Sequence, residues 1–236
     1  FVCNIISQII SSWQQSDDNG KVCIMKKLLG IVVLGLLLHG CSSTQTTRDI
    51  EINKLKIKET VDSSFCKTGS HFSLYLDGVI NEDSSLVIEK ILSKQTKCIN
   101  DKGVHIVPSV YLNSRGGYLR DGYKLGETFT KYKVSTRINS GAVCMSACST
   151  AFLGGKYRQM FGSAKLMVHA PYRYISRDTI ECTSASASTD LKKYYIKKIG
   201  TSDGELLFDR TMKYCGTTEG WFLNKDAAKL FNITTD

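Results

Sequence analysis

The sequence predicts an α/β domain built on a mainly parallel, layered sheet, and three observations predict it. Short segments of alternating apolar residues recur along the chain, stretches with a helical apolar face separate them, and no internal repeat or low-complexity tract interrupts the pattern. Strands that alternate with helices join through right-handed crossovers, which makes neighbouring strands parallel. At 236 residues, 42% of them hydrophobic, the chain has enough apolar surface for one domain with a sizeable core.

The elements follow in order. HFSLYLDGVI (71–80) alternates and is rich in aromatic and branched residues, so it reads as a strand that turns at 81–83. SSLVIEKILSK (84–94) places Leu86, Val87, Ile88, Ile91 and Leu92 on a helical face, with serines to cap its start. HIVPSVYLNS (105–114) is a second strand closed by RGG, and a helix over 118–131 carries Leu119, Tyr123, Leu125 and Phe129. After a short strand, VSTRI (134–138), a helix should begin near Ser146 and turn Ala147, Ala151, Phe152 and Leu153 inward. KLMVHAP (165–171) is a strand that ends at its proline; residues 172–189 read as an exposed loop around Cys182. Helices over 190–199 and 203–214 follow, and WFLNKDAAKLFNIT (221–234) supplies a short strand and a closing helix. Loops past the carboxyl ends of strands hold the chemistry in such sheets, so NSRGG (113–117) and GAVCMS (141–146) are candidate site loops.

Residues 1–24 open on Phe1 and have a polar middle, SSWQQSDDNGK, and read as an extension outside the native product. From Met25 the chain reads MKKLLGIVVLGLLLHGC: two lysines, an apolar run from Leu28 to Leu38, then Gly40 and Cys41. That is the layout of a bacterial secretory signal, whose apolar run is short for a permanent span. Its ending resembles a lipobox, in which the cysteine is lipidated. The expectation is a signal peptide over 25–40, lipidation at Cys41, a polar tether over 41–68 and a folded domain over 69–236. Ser42, rather than an aspartate, after Cys41 points to the cell envelope at the periplasmic face of the outer membrane. An uncleaved anchor helix is the alternative.

Without the three lysines and two aspartates of residues 1–41, the remainder keeps a formal charge of +8. No zinc-ligand spacing, RNA-binding signature or compact basic run with interleaved aromatics accompanies that charge. It reads as a solvated face, and nucleic acid is not an expected partner. Six cysteines follow the lipobox: Cys66, Cys98, Cys144, Cys148, Cys182 and Cys215. An even number in an exported protein implies disulfides, and Cys66 with Cys98 is the expected pair, because both flank the first strand and helix. Cys144 and Cys148 can pair with each other only if the helix has not yet formed at Cys144. Cys-x3-Cys without a second close pair or a nearby histidine is poor zinc spacing; no metal and no cofactor are expected.

LNSRGG (112–117), VCMSACS (143–149) and KLMVHAP together can supply acyl-transfer chemistry, which needs an exposed hydroxyl, a base and amides aimed at an oxyanion. Ser146 at a loop-to-helix junction can present its oxygen while the Ala147 amide points into the same site, and the helix N-terminus adds positive potential. Gly116 and Gly117 permit main-chain angles other residues avoid. His169, at the end of an apolar strand, is the histidine placed to be the base, since His39 lies in the signal and His71 and His105 begin strands. Singly, each feature reads equally as a structural histidine, a helix cap or a turn.

The run from Val110 to Tyr172 resembles the ClpP/crotonase fold, a layered α/β architecture of repeated β-β-α and βα units, and is most similar to the ClpP-like predicted periplasmic proteins of bacteria. YLNSRGG resembles the Asn-Ser-Pro-Gly-Gly segment of the Clp proteolytic subunit, MSA its nucleophile turn, and MVHAP its histidine strand; the likeness extends more faintly from His71 to the end. The resemblance implies Ser146 as nucleophile, His169 as general base, and the amides of Gly116 or Gly117 with Ala147 as oxyanion hole. It also implies an aspartate near the final strand, where this chain has Gly216. Glu219, Thr217 or Thr218 stand in as candidates to orient His169, with Asp209 more distant. Changing the acid of the serine triad to its amide costs about 10⁴ in rate, so the departure matters. Arg115 replaces the family's proline and is a candidate to bind a substrate carboxylate.

The expected function is a lipid-anchored periplasmic serine hydrolase, a peptidase acting on peptide or protein. The alternative is a catalytically inactive binding or scaffold lipoprotein with the same body. A crotonase-type acyl-CoA enzyme conflicts with the export signal, and a Ser-Lys dyad would need Lys165 or Lys156 to reach Ser146. Relatives with this fold form rings or trimers, so homo-oligomerisation is also an expectation.

Overall fold

The computed structural model describes residues 45–216 and 219–235. The expected extension over 1–24, the signal over 25–40 and the lipidated Cys41 lie outside the described residues. The first element departs from expectation. Residues 45–62, assigned above to a tether, form the hairpin β1 (Gln45–Ile52) and β2 (Leu55–Asp62), turning through Asn53 and Lys54, both with positive φ. The reason is alternation within LKIKE: Leu55 and Ile57 are fully buried while Lys56 and Lys58 face solvent, a period of two that charged composition disguises.

β2 pairs antiparallel with β3 (His71–Ile80), which α1 (Ser84–Leu92) follows. A small side ladder, β4 (Cys98–Ile99) with β5 (His105–Ile106), is stapled to the end of β2 by the Cys66–Cys98 disulfide, with a Cα–Cα distance of 5.2 Å. Pro108 interrupts the expected strand over 105–114, because proline has no N–H for the ladder; its carbonyl still accepts from Ser135 N–H at 2.7 Å. The long strand resumes as β6 (Ser109–Gly117), parallel to β3. Then come α2 (Leu119–Lys131), β7 (Ser135–Ile138), β8 (Val143–Met145), α3 (Ala147–Phe152), β9 (Tyr157–Met160) and β10 (Lys165–Val168). The expected loop over 172–189 contains a second hairpin, β11 (Tyr172–Tyr174) with β12 (Ile180–Cys182). α4 (Thr189–Ile199), α5 (Thr201–Thr211), β13 (Trp221–Leu223) and α6 (Lys225–Leu230) complete the described chain.

Among the described residues nine strands join in one sheet, and it forks at β6. The first half of β6 pairs with β7, which pairs with β9; its far end meets β8 at Ser114 opposite Cys144, and β8 continues to β10 and β13. All pairings around the fork are parallel. The antiparallel ones lie at β1, β2, β3 and at β13, so the architecture is the mainly parallel α/β fold expected.

Helix α3 is enclosed by its neighbours: all six of its residues are buried. Two features let helices close on it. Tyr194 on α4 donates its hydroxyl to the Thr150 carbonyl at 3.0 Å. On α2, Gly122 leaves no room for a Cβ, which would stand 2.5 Å from the Ala147 carbonyl oxygen and 3.0 Å from its Cα. Gly122→Ala is therefore expected to lower stability by about 1–3 kcal/mol through overpacking, although helix propensity alone favours alanine by about 1 kcal/mol. A urea midpoint that rises in the variant would contradict this packing.

Candidate active site

β8 and β10 lie parallel, with Met145 opposite Met167. Ser146 follows β8 directly and precedes α3, with φ 55° and ψ −122°, a conformation rare for a residue with a side chain. Several contacts hold it there. Its N–H donates to the Met167 carbonyl at 2.8 Å. The buried Ser149 hydroxyl shares its proton between that same carbonyl, at 2.6 Å, and Cys144 O, at 2.9 Å. Asn113 Oδ1 accepts from Val143 N–H at 3.1 Å, fixing the start of β8. Cys144 and Cys148 are joined across the turn, Cα–Cα 5.2 Å; Cys144 is still in the strand, and the helix begins at Ala147.

The glycine pair reaches this turn from β6. Gly116 has φ +103°, and a Cβ there would stand 2.8 Å from Ser146 Cβ and 3.1 Å from Ala147 N. Only glycine allows β6 so close to the nucleophile turn. A Cβ on Gly117 would collide with the Ile80 carbonyl. The Gly116 N–H donates to Ser114 Oγ at 3.0 Å, so that amide is already engaged; Gly117, the other member of the pair, lies opposite Ile80 in the β3–β6 ladder. Ala147 is the first residue of α3, so its N–H has no acceptor a turn earlier in the helix.

His169 stands two residues beyond Met167 and is half-buried. Its Nδ1 lies 2.8 Å from the Ala170 carbonyl. A carbonyl can only accept, so Nδ1 carries the proton, and Nε2 of the neutral ring keeps its lone pair. Ala170 N–H donates to Tyr214 O at 2.8 Å, and the Tyr172 ring lies 5.5 Å from the imidazole, 30° from parallel. The Cys182–Cys215 disulfide, Cα–Cα 6.1 Å, ties β12 to the segment just after Tyr214. Backbone contacts and a cross-link thus position the histidine.

Ser146 and His169 line one cavity of about 20 Å³, closed by Leu119, Leu191 and Tyr195 among others; that is room for about one water. No hydrogen bond joins Ser146 to His169 in this arrangement, and such contacts commonly tighten only with substrate present. Burial pushes the Tyr195 hydroxyl up to about 12, so that wall is a neutral phenol at physiological pH.

The other candidates fall elsewhere. Glu219 is exposed, with no hydrogen bond or ion pair to His169 among the described residues, and Asp209 is exposed on α5. Thr217 and Thr218 lie outside the described residues. Lys165 begins β10 beside Val143 and Lys156 lines a cleft at the far end of α3, so neither borders the Ser146 cavity. Arg115 is exposed. A second serine–histidine contact, His71 Nε2 to Ser109 Oγ at 3.3 Å, was not anticipated. Ser109 is only 2% exposed, and burial together with Arg137 pushes His71 below the usual imidazole range; the pair is a cross-strand brace.

Residues 45–207 match the family described as Clp protease. Among solved structures, a point mutant of the 1510-N membrane-bound stomatin-specific protease shares 12% identity over 69% of this chain and 75% of its own, with a TM-score of 0.53. A ClpP1 point mutant from Listeria monocytogenes shares 16% over 69% and 88%, with a TM-score of 0.48. No curated protein sequence matches significantly.

The cross-links should separate stability from site geometry. Their sequence separations, 32 for Cys66–Cys98 and 4 for Cys144–Cys148, give loop-closure contributions of about 4 and about 2 kcal/mol. Replacing the first pair by alanine should cost more in urea melts, and replacing the second should cost more of any Ser146 reactivity. The opposite order would mean that Cys144–Cys148 does not shape the turn.

Proposed function

The chain belongs to the Clp protease family, and on that premise we propose that it is a serine peptidase acting through an acyl-enzyme on Ser146. The observation that carries the reading is the pairing, in one cavity, of a strained turn presenting Ser146 with a His169 whose Nδ1–H is committed to a carbonyl. Ser146 Oγ attacks the scissile carbonyl carbon and passes its proton to His169 Nε2. The oxyanion that forms faces the Ala147 amide and, of the glycine pair, the Gly117 amide, since Ser114 holds that of Gly116. His169 then returns the proton to the leaving amine, and water reverses the steps to release the acid.

The Ala170 carbonyl secures the tautomer that an aspartate would secure, but brings no full negative charge to stabilise the imidazolium. Catalysis should be correspondingly slower than with a complete triad. Because the cavity holds about one water, a wall such as Leu191 and Tyr195 on α4 must move for a peptide to enter. Substrates are short or unfolded segments, and association of several copies is part of the proposal. So are the lipid anchor at Cys41 and the periplasmic face of the outer membrane, supported by the MKKLLGIVVLGLLLHGC segment and by three disulfides among the described residues, which suit an oxidising compartment.

A second reading, a binding or scaffold protein without catalysis, is favoured by the lack, among the described residues, of a carboxylate on His169 and of a Ser146–His169 hydrogen bond. Fluorophosphonate labelling separates the two. The full chain should label, Ser146→Ala should not, and His169→Ala should label about 10²–10⁴ more slowly; Glu219→Gln should change the rate less than about twofold, since the Ala170 carbonyl already holds Nδ1. Labelling of the wild type no greater than that of Ser146→Ala would make the scaffold reading correct. For the anchor, metabolic incorporation of labelled palmitate should vanish in Cys41→Ser; incorporation that persists there rejects lipidation at this cysteine.

A further inference from the structure

The helices that meet at the nucleophile have a second meeting point. Leu119, Ser146 and Leu191, at the N-terminal ends of α2, α3 and α4, line the small cavity, whereas the C-terminal ends of the same helices frame a cleft of about 480 Å³. The two lie about 16 Å apart along α2 at the ordinary helical rise. The cleft volume is that of a small-molecule site.

Five cations border it: Lys133, Lys156, Arg158, Lys197 and Lys198. Among the described residues, one carboxylate answers them. Glu127 accepts from Lys197 at 3.0 and 3.1 Å and pairs with Lys198 at 3.2 Å. The Arg158 guanidinium donates to the carbonyls of Ile233, Asn232 and Gly155 at 2.7, 3.2 and 3.3 Å, which are neutral acceptors and leave its charge uncancelled. Lys133 and Lys156 make no ion pair among the described residues. Lys198 has a side chain only 6% exposed and donates to Thr130 Oγ1 at 2.6 Å. Burial, and then the neighbouring Lys197 and Arg158, push it below the ordinary lysine value despite Glu127.

Compensation of helix dipoles does not account for this excess. Three C-terminal ends supply at most about half a negative charge each, and with Glu127 they leave the cleft positive by more than two charges among the described residues. We propose that the cleft binds a phosphate-type anion carrying two or more negative charges. Lysines act as point-charge donors suited to a tetrahedral oxyanion, and the one arginine has its fork committed to carbonyls, so the planar two-pronged recognition of a carboxylate is not on offer. Such an anion is available as a soluble phosphorylated compound or as a phospholipid headgroup.

Calorimetric titration of the full chain with inorganic pyrophosphate, alongside co-sedimentation with vesicles of three parts phosphatidylcholine to one part cardiolipin, whose headgroup carries two phosphates, tests this. The wild type should bind pyrophosphate, and Lys133→Glu/Lys156→Glu, which changes two exposed positions, should weaken binding more than tenfold. Lys56→Glu/Lys58→Glu, two exposed positions on β2, should change it less than twofold. Vesicle retention that pyrophosphate displaces identifies a headgroup as the source; pyrophosphate binding that leaves vesicle retention unaltered identifies a soluble compound. The proposal fails if the wild type binds no pyrophosphate, or if the β2 pair weakens binding as much as the cleft pair.

Discussion

The carbonyl of Met167 is the point on which the candidate site depends. It accepts from the Ser146 N–H and from the Ser149 hydroxyl, so one oxygen on β10 secures both the turn and the first turn of the helix after it. His169 is two residues further on, just past the end of β10, and the distance between nucleophile and base is set by this anchorage. A turn that holds a side-chain-bearing residue at positive φ costs on the order of 1–3 kcal/mol. Two buried hydrogen bonds to one acceptor are of the right size to offset that. The strain at Ser146 is thereby sustained by the sheet, since a six-residue helix has little capacity of its own to dictate the turn before it.

The fork in the sheet supplies the remaining parts. β6 runs beside β7 for its first half and touches β8 only at Ser114, and its last residues, paired with β3 beyond a register shift, reach over Ser146. Each residue of NSRGG then has a separate task. Asn113 fixes the start of β8, Ser114 holds the Gly116 amide, and Gly116 lets the backbone pass within contact of the nucleophile. A straight parallel sheet would have kept those glycines a strand's width away.

Much of this was legible in the sequence. Long alternating runs such as HFSLYLDGVI and helical faces such as that of α2 were read because hydrophobic period survives without tertiary context. The order of LNSRGG, VCMSACS and KLMVHAP marked the site for the same reason: its side chains lie within short local motifs. What stayed hidden was of two kinds. The hairpin of β1 and β2 has its period of two masked by lysine and glutamate on the open face, and the short β9 and β11 carry too few residues for any period to register. The support of His169 was hidden more deeply. It comes from the carbonyl of Ala170, and every residue has a carbonyl, so no side-chain motif announces it. The acid that the sequence offers near the final strand, Glu219, is exposed instead. Ser149 was equally silent, because a serine that braces and a serine that caps look alike in one dimension.

Anchoring Ser146 through β10, β6 and a cross-link has a kinetic consequence. Its partners are distant in sequence: Met167 lies 21 residues on from Ser146, and Asn113 reaches across 30 residues to Val143. Contacts of that range form late, after loop closure has been met. A partly folded chain consequently carries an ordinary serine in an ordinary turn, and reactivity arises with the final registration of the sheet. Local opening of β10 would return Ser146 to that silent state, so loss of structure and loss of reactivity should occur as one event.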